Sequence, residues 1–208
     1  MTDSFMKDLG HYNPHMFLKL HNLHLNISQN SNTELVFIGD SITCNFDKNI
    51  FNKEFSKYKA LNFGINGDRV QHIVWRLQNG LLDNIKPKVV VLLIGVNNFG
   101  NDPKDTAFGI KEIIRLIQLK LVNTNILLCG IFPFGENPDI DSRKYVKDVN
   151  NIIQNYNNDK IHYIDFGYKF LNSTEHIEKD IMYDFIHLTT KGYTIFANSI
   201  KDIIEIIS

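Results

Sequence analysis

The 208-residue sequence contains only two cysteines, too few to build a disulfide framework. It also carries almost no excess charge of either sign, because 22 Lys and Arg residues balance 23 Asp and Glu residues. The basic residues are scattered along the sequence. Proteins that bind nucleic acids usually carry a basic face, so no nucleic-acid partner is predicted. No run approaches the ~18 apolar residues that a membrane span needs, and no stable membrane insertion is expected.

The N-terminal segment lacks the apolar core of a secretory signal peptide, since its first ten residues include Asp3, Lys7 and Asp8. A cytoplasmic location is therefore expected. Repeats and linkers are also missing, and the length suits one compact domain. We predict a single domain over residues 1–208, with residues 1–34 as a helical extension packed on the rest. The helix is expected to begin at Asn13-Pro14, and residues 26–33 are expected to form a loop.

Short apolar runs alternate with longer segments of helical periodicity. Strands are predicted at residues 35–38, 60–63, 89–94, 126–131 and 161–164, and helices at 70–82, 106–121, 143–156 and 191–207. Such alternation predicts an α/β fold, in which a parallel sheet carries helices on both faces. Because ligands bind beyond the carboxyl ends of parallel strands, functional residues are expected directly after the strands.

A serine, an aspartate and a histidine occur where this rule expects function. Ser41 follows the first predicted strand, and Asp184 and His187 precede the last helix. A serine hydroxyl needs a base to become nucleophilic, and a histidine can take its proton and pass it to the leaving group. An aspartate three residues before that histidine can fix the tautomer of its imidazole. We therefore predict Ser41 as nucleophile, His187 as base and Asp184 as the partner of His187.

Ester hydrolysis also requires hydrogen-bond donors that stabilise the tetrahedral oxyanion. The predicted donors are the backbone N–H groups of Ser41 and Gly67 and the side-chain amide of Asn97. Glycine at position 67 allows the backbone to approach a substrate closely. The amide of Asn97 is a neutral donor on a short side chain. Together with the nucleophile and the base, these donors predict an ester-hydrolysing site.

The segments after the strands resemble, in order, the four signature blocks of the SGNH, or GDSL, hydrolase superfamily. These blocks are Gly39-Asp40-Ser41, Gly67-Asp68, Gly95-Val96-Asn97-Asn98 and Asp184-Phe185-Ile186-His187. Residues 62–98 look most like the catalytic subunits of intracellular platelet-activating factor acetylhydrolase and their bacterial relatives, and the likeness spans about residues 35–193. The resemblance implies a flavodoxin-like three-layer α/β/α sandwich with a five-stranded parallel sheet. It also implies no metal or cofactor, and a homodimer.

Four residues are further candidates for substrate binding: Asp40, Arg69, Asn98 and Phe132. Arg69 occupies a position that is often threonine in such proteins. It either lines the pocket mouth and favours an anionic or sugar-bearing substrate, or is a solvated charge at a helix start. Asp40 alternatively bonds the backbone of its turn, and Asn98 alternatively braces its loop. Phe132 follows the fourth strand and is expected to wall the acyl pocket.

Other chemistry has less support in the sequence. Cys44 lies close to Ser41, but nothing else favours a thiol nucleophile. No Cys or Glu completes a metal-ligand set with the N-terminal histidines, for which packing or surface roles are predicted. These histidines are His11, His15, His21 and His24. A nucleotide-binding P-loop of the form GxxxxGK[ST] is absent, and serine, glycine and asparagine occupy the strand ends where a signalling receiver needs acidic residues.

The predicted activity is hydrolysis of a short-chain acyl ester, with acetyl as the expected group, through an acyl-Ser41 intermediate. Carbohydrate O-acetylesterase, thioesterase and lysophospholipase activities remain open as alternatives. Outside this class, the alternative is a non-catalytic flavodoxin-like binding module. The presence of every catalytic part argues against that alternative.

Overall fold

The computed structural model describes residues 14–29 and 31–208, so Asn13 and His11 lie outside the described residues. Its sheet contains five parallel strands in the order β2-β1-β3-β4-β5. The strands are β1 (Leu35–Gly39), β2 (Leu61–Asn62), β3 (Val89–Leu93), β4 (Asn125–Cys129) and β5 (Ile161–Ile164). This is the strand order of flavodoxin-like sheets, and the predicted fold class is confirmed.

Seven α-helices within the described residues accompany the sheet. They are α1 (Pro14–Ser28), α2 (Ser41–Cys44), α3 (Lys48–Phe55), α4 (Val70–Gln78), α5 (Pro103–Lys120), α6 (Asp141–Ile153) and α7 (Thr190–Ile207). Helices α4, α5 and α6 pack side by side, and α3 packs against α7. Right-handed crossovers place these two groups on opposite faces of the sheet, which gives three layers. No helix in the described ranges has the length and apolar character needed to cross a membrane.

The centre of the sheet is apolar because helices cover both of its faces. Every residue of β1 and β3 is buried. Their sequences, LVFIG and VVVLL, are continuous apolar runs rather than alternating ones, as expected for a strand covered on both sides. Each fully buried aliphatic side chain contributes about 1.5–3 kcal/mol of hydrophobic stabilisation, so this centre is a rigid support for the loops at its edge.

Several boundaries differ from the predicted ones. Helix α4 ends at Gln78 instead of 82, because the backbone turns at Asn79 and Gly80, where φ is +96°. Helix α3 was not predicted; Asp47 begins it by accepting hydrogen bonds from the N–H groups of Asn49 and Ile50. The prediction of a loop over 26–33 was wrong for its first three residues, since α1 continues through Ser28.

Helix α1 packs on α4 through an aromatic and two histidines. Phe17, His21 and His24 are buried, and both Phe17 and His21 lie against the ring of Trp75. Leu18 and Leu20 are partly buried and pack against the buried pair Phe17 and Ile65. Helix α1 is therefore attached by apolar contacts and by two histidines, and the histidines need hydrogen-bond partners when they are buried.

The sheet reverses its strand order between β1 and β3, which are neighbours at its centre. From β1 the chain runs outward to β2 and then crosses back to β3. The loops that follow β1 and β3 consequently diverge and leave a crevice at the carboxyl edge. Ser41 follows β1 and Asn97 follows β3, so both lie at this edge.

Candidate active site

A hydrogen-bonded chain connects Ser41, His187 and Asp184. Ser41 Oγ lies 2.9 Å from His187 Nε2, and His187 Nδ1 lies 2.6 Å from Asp184 Oδ2. The structure thus brings together three residues that the sequence separates by up to 146 positions. Ser41 is 7% exposed, which leaves its hydroxyl close to the surface while its backbone is fixed. These contacts have the geometry that the prediction of a nucleophile, a base and a group that orients the base requires.

The serine is held at the first residue of α2. Asp40 precedes the helix and accepts a hydrogen bond from the N–H of Ile42 at 2.9 Å, which caps the helix N-terminus. Tyr193 of α7 donates to the carbonyl of Ile42 at 2.9 Å and secures the same turn from the opposite side. Asp40 is buried, and burial raises the pKa of its carboxyl to about 7. The structure therefore uses the Asp40 side chain within the turn, whereas substrate binding was one of the predictions made for it.

The histidine and aspartate share a tight turn. Asp184 Oδ1 accepts hydrogen bonds from the N–H groups of Ile186, at 3.1 Å, and His187, at 2.7 Å. Between them Phe185 adopts φ of +64°, a left-handed conformation that is uncommon outside glycine. Partial burial raises the pKa of Asp184, but the hydrogen bonds from His187 outweigh this and leave the pKa below its usual value. The carboxylate is therefore ionised at neutral pH and faces the imidazole.

The turn is braced by the loop after β4. The N–H of Gly135 donates to the carbonyl of Phe185 at 2.8 Å. The guanidinium of Arg143 in turn donates to the carbonyl of Gly135 at 3.1 and 3.3 Å. The strained backbone at Phe185 is thus fixed by two successive contacts that sequence reasoning did not identify.

The predicted oxyanion donors lie at the same edge of the sheet as Ser41. Gly67 has φ of +76°, which only glycine adopts readily, and the Asn97 side-chain nitrogen donates to the carbonyl of Asp68 at 3.0 Å. That nitrogen carries two hydrogens, so one remains for a ligand. Within the described residues, the N–H groups of Ser41 and Gly67 make no hydrogen bond.

Behind these donors lies a buried ion pair. Arg76 Nη1 donates to Asp68 Oδ2 at 2.6 Å, and Arg76 Nη2 donates to His24 Nδ1 and to the Phe63 carbonyl, both at 2.8 Å. Burial raises the pKa of Asp68 to about 6, while the guanidinium opposes this shift and keeps the carboxylate ionised at neutral pH. Sequence reasoning missed this cluster. The available signal was an arginine three residues after Ile73, on the apolar face of α4.

For Asn98 the structure supports the bracing alternative, and for Phe132 the expectation of a pocket wall is wrong. Asn98 is buried, and its side chain accepts from the N–H of Val70 and donates to Gln71, so it braces the start of α4. Phe132 is also buried and packs within an aromatic cluster instead of walling a pocket. The other members of this cluster are Phe166, Phe170 and Phe196. Both side chains are engaged in contacts that hold the scaffold.

The loop after β4 provides Phe134 where Phe132 was expected. Phe134 lines a hollow of about 430 Å³ that borders Asp184. The other apolar side chains of the lining are Phe99, Ile140, Phe185 and Ile186. Another groove, of about 500 Å³ between α5 and the end of α6, contains none of the candidate site residues. The hollow beside Asp184 is therefore an apolar surface that borders one member of the hydrogen-bonded chain.

Arg69 and Cys44 lie near the site without joining the hydrogen-bonded chain. Arg69 precedes α4, is partly buried, and its N–H donates to His72 Nδ1 at 3.1 Å. Burial raises the pKa of the Cys44 thiol, the opposite of what a reactive thiolate requires. No group of three or more His, Cys, Asp or Glu side chains in residues 14–29 and 31–208 is arranged to hold a metal ion.

The model of the GDSL-like lipase/acylhydrolase family matches residues 37–195, which include every member of the hydrogen-bonded chain. The chain belongs to this family of hydrolases. The human platelet-activating factor acetylhydrolase IB subunit alpha1 is 35% identical over 181 residues, which cover 86% of this chain and 78% of the relative. The expected resemblance to that branch is thereby confirmed.

Solved structures of the family show the same fold. A GDSL-like lipase from Bacteroides thetaiotaomicron superposes with a TM-score of 0.76 at 20% identity, over 91% of this chain and 97% of the other. An acetylxylan esterase from Geobacillus stearothermophilus superposes with a TM-score of 0.66 at 17% identity, over 85% and 96%. At these identities the likeness concerns the fold.

Proposed function

We propose that this protein is a serine esterase that hydrolyses short-chain acyl esters, preferentially acetyl esters, through an acyl-Ser41 intermediate. The observation that carries the proposal is the hydrogen-bonded chain from Ser41 through His187 to Asp184. Membership of a hydrolase family supports the same chemistry.

In the first step, His187 Nε2 takes the proton of Ser41 as Oγ attacks the ester carbonyl. Asp184 holds Nδ1 and stabilises the imidazolium that forms. The same proton passes to the oxygen of the departing alcohol, and the acyl group remains on Ser41. A water molecule, activated by the same imidazole, then releases the acid and restores the serine.

Each addition step places negative charge on the carbonyl oxygen. The N–H groups of Ser41 and Gly67 and the free hydrogen of the Asn97 amide are the proposed donors to it. Because these groups are fixed before the reaction, little reorganisation is needed when the charge develops. Ser41 also begins α2, but that helix spans only four residues, so the three hydrogen bonds are expected to provide most of the stabilisation.

The acyl preference is supported by the relatives. The human relative is named for the acetyl hydrolysis of platelet-activating factor, and the Geobacillus enzyme for acetylated xylan. These alcohols differ completely, whereas the acetyl group is common to both. Carbohydrate O-acetyl esters are accordingly the second candidate substrates, and a partly buried Arg69 near the site is compatible with a hydroxyl-rich alcohol.

A panel of p-nitrophenyl esters of increasing chain length, alongside acetylated sugars, tests this proposal. We expect turnover of the acetate and a steep fall in kcat/KM by about the octanoate, because both relatives named above are acetyl-ester hydrolases and a site shaped for an acetyl group binds the transition state of a longer chain less well. Equal activity on long chains would reject the short-acyl preference. Faster turnover of acetylated sugars than of simple acetates would favour the carbohydrate esterase.

Three other expectations stay as predictions. Activity should be unchanged by a chelator such as EDTA, and strong loss would indicate a metal requirement. Light scattering of the purified protein is expected to give the mass of a homodimer, while a mass near 24.1 kDa would contradict this. Fractionation of the native cells is expected to recover the protein in the cytoplasm. The single domain over residues 1–208 also stays a prediction.

A further inference from the structure

Helix α1 contacts the oxyanion side of the site through one buried side chain. His24 Nδ1 accepts a hydrogen bond from Arg76 Nη2 at 2.8 Å, and the His24 ring stacks on Phe63 with centroids 5.0 Å apart. Since Nδ1 accepts, it carries no proton, and the imidazole is neutral. Burial and the charge of Arg76 lower the pKa of His24 to about 3, in agreement with this state.

The orientation of the Arg76 guanidinium is set by the groups around it. The guanidinium is buried and donates to the Asp68 carboxylate, to the Phe63 carbonyl and to His24. Three partners fix the orientation of a planar guanidinium, and loss of the His24 acceptor leaves it held by two contacts, so it is positioned less tightly. Two of these partners belong to the segment after β2, whereas His24 comes from the separate helix α1.

Asp68 transmits this orientation to the proposed oxyanion donors. Its carboxylate binds Arg76, and its carbonyl accepts the hydrogen bond from Asn97 Nδ2. The preceding residue is Gly67. A single residue, Asp68, thus joins the buried ion pair to the Asn97 amide and to the adjacent backbone of Gly67, so a rotation at Asp68 moves both donors.

We propose that α1 completes the active site from outside, with His24, Arg76 and Asp68 acting as positioning residues for Gly67 and Asn97. The proposal rests on the proposed esterase function. It assigns no contact with substrate to these residues. Their effect is on the transition state, because the donors they position are needed most when the oxyanion forms.

His24 and His21 provide a matched pair for the test. Both are buried on the same face of α1, but His21 Nε2 bonds the carbonyl of Asn79 at the far end of α4 and has no hydrogen bond to the ion pair. His24→Leu removes the acceptor for Arg76. His24→Asn restores an acceptor where Nδ1 lies. His21→Leu disturbs the same helix elsewhere.

For His24→Leu we expect kcat to fall ~10-fold with little change in KM, because misplaced donors reduce transition-state stabilisation alone. Inhibition by an alkyl trifluoromethyl ketone, which forms a tetrahedral oxyanion adduct on serine, should weaken by a similar factor. His24→Asn should recover most of both losses. His21→Leu should lower the melting temperature yet retain kcat and the inhibition constant.

Equal kcat losses in His21→Leu and His24→Leu would overturn the proposal, since general loosening of α1 would explain them. Unchanged kcat and inhibition in His24→Leu would overturn it too. Amide hydrogen exchange of residues 64–69 separates this outcome from failure of the esterase function. Faster exchange is expected in His24→Leu only, whether or not any ester is hydrolysed; unaltered exchange in that variant contradicts the proposal.

Discussion

The two sides of the site are built in different ways. On the base side, the Asp184 and His187 side chains are 41% and 28% exposed, and the contacts between them span three residues of the chain. On the oxyanion side, Asp68 and Arg76 are fully buried, and their network reaches from His24 to Asn97. The contact between Asp184 and His187 is thus local and partly exposed, whereas the network around Asp68 and Arg76 is long-range and buried.

This difference matches the two tasks. A base must exchange protons with substrate and water in each cycle, so access to solvent is useful. Donors to an oxyanion must stay fixed, and a buried ion pair holds them in a low-dielectric environment where reorientation is costly. Replacing residues on each side should therefore have different consequences.

The largest effect is expected at Ser41, where the two sides meet. Ser41→Ala should lower kcat by ~10³-fold or more while the fold is retained, because the small side chain leaves the cap at Asp40 unaltered. Steady-state kinetics with p-nitrophenyl acetate, with circular dichroism as a control for folding, measures this. Activity within tenfold of wild type would contradict the assignment of the nucleophile.

On the base side, Asp184→Asn should lower kcat by roughly 10³-fold, less than the ~10⁴-fold known for a fully buried aspartate in such a triad. The amide can still accept from the N–H of His187, so the turn survives while the charge facing the imidazole is lost. The melting temperature should change little. A large drop in melting temperature would show that the turn, and not the charge, was the main loss.

On the oxyanion side, Asn97→Ala should lower kcat by ~10²-fold with KM nearly constant, since one donor is removed. Unlike the substitution at Asp184, it should also weaken the trifluoromethyl ketone by a comparable factor. The two variants measured together sharpen the contrast between the sides. If the trifluoromethyl ketone inhibited both variants equally, the contrast between the two sides of the site would be contradicted.

A smaller effect is expected from Gly135→Ala. Gly135 has φ of +84°, which alanine adopts only with strain, and an added Cβ would also overlap the end of the Ile140 side chain, so we expect the N–H that holds the Phe185 carbonyl to shift. We expect a loss of about 1–2 kcal/mol in the free energy of unfolding and roughly tenfold in kcat. Gly80 also has a positive φ, of +96°, but it makes no contact with Phe185. Gly80→Ala should therefore lower the free energy of unfolding without changing kcat. A similar kcat loss there would argue against the brace.

The smallest effect on catalysis is expected from the titration of His21, which should change stability alone. Burial lowers the pKa of His21 from its ordinary value of 6.5 to about 4, so the folded state binds fewer protons than the unfolded one between these values. Its stabilising contribution is complete above pH 6.5 and is lost as pH falls toward 4.

Because His21→Gln keeps the donor to Asn79 but does not titrate, it isolates this contribution. Wild type should lose ~2 kcal/mol relative to that variant between pH 7 and pH 4.5, measured by urea unfolding. A difference that is independent of pH would mean that the folded protein protonates His21 as readily as the unfolded chain does.

The sequence predicts the base side better than the oxyanion side. The spacing of Asp184 and His187 lies within one turn of chain, so the motif alone indicates their contact. The periodicity likewise identifies all five strands, because continuous apolar runs report burial directly. In contrast, nothing local to His24 or Arg76 indicates that they meet, since their contact depends on how α1 packs on α4.

Other differences have the same origin. Phe132 and Phe134 are neighbours in an apolar segment, and only the packing decides which of them enters the aromatic cluster and which lines the hollow. Helix α3 was missed because a polar segment rich in Asn and Lys contains few apolar positions. Tertiary contacts with α7 and the cap at Asp47 stabilise it instead.

The most direct test is covalent labelling of the nucleophile. A fluorophosphonate reacts when the serine oxygen forms a bond to phosphorus, fluoride departs and the imidazole takes the proton. Peptide mass spectrometry should show one adduct per chain, on Ser41, and its formation should slow by orders of magnitude in His187→Ala. An adduct on another residue, such as Cys44, or labelling of Ser41 at the wild-type rate without His187, would contradict the proposed site.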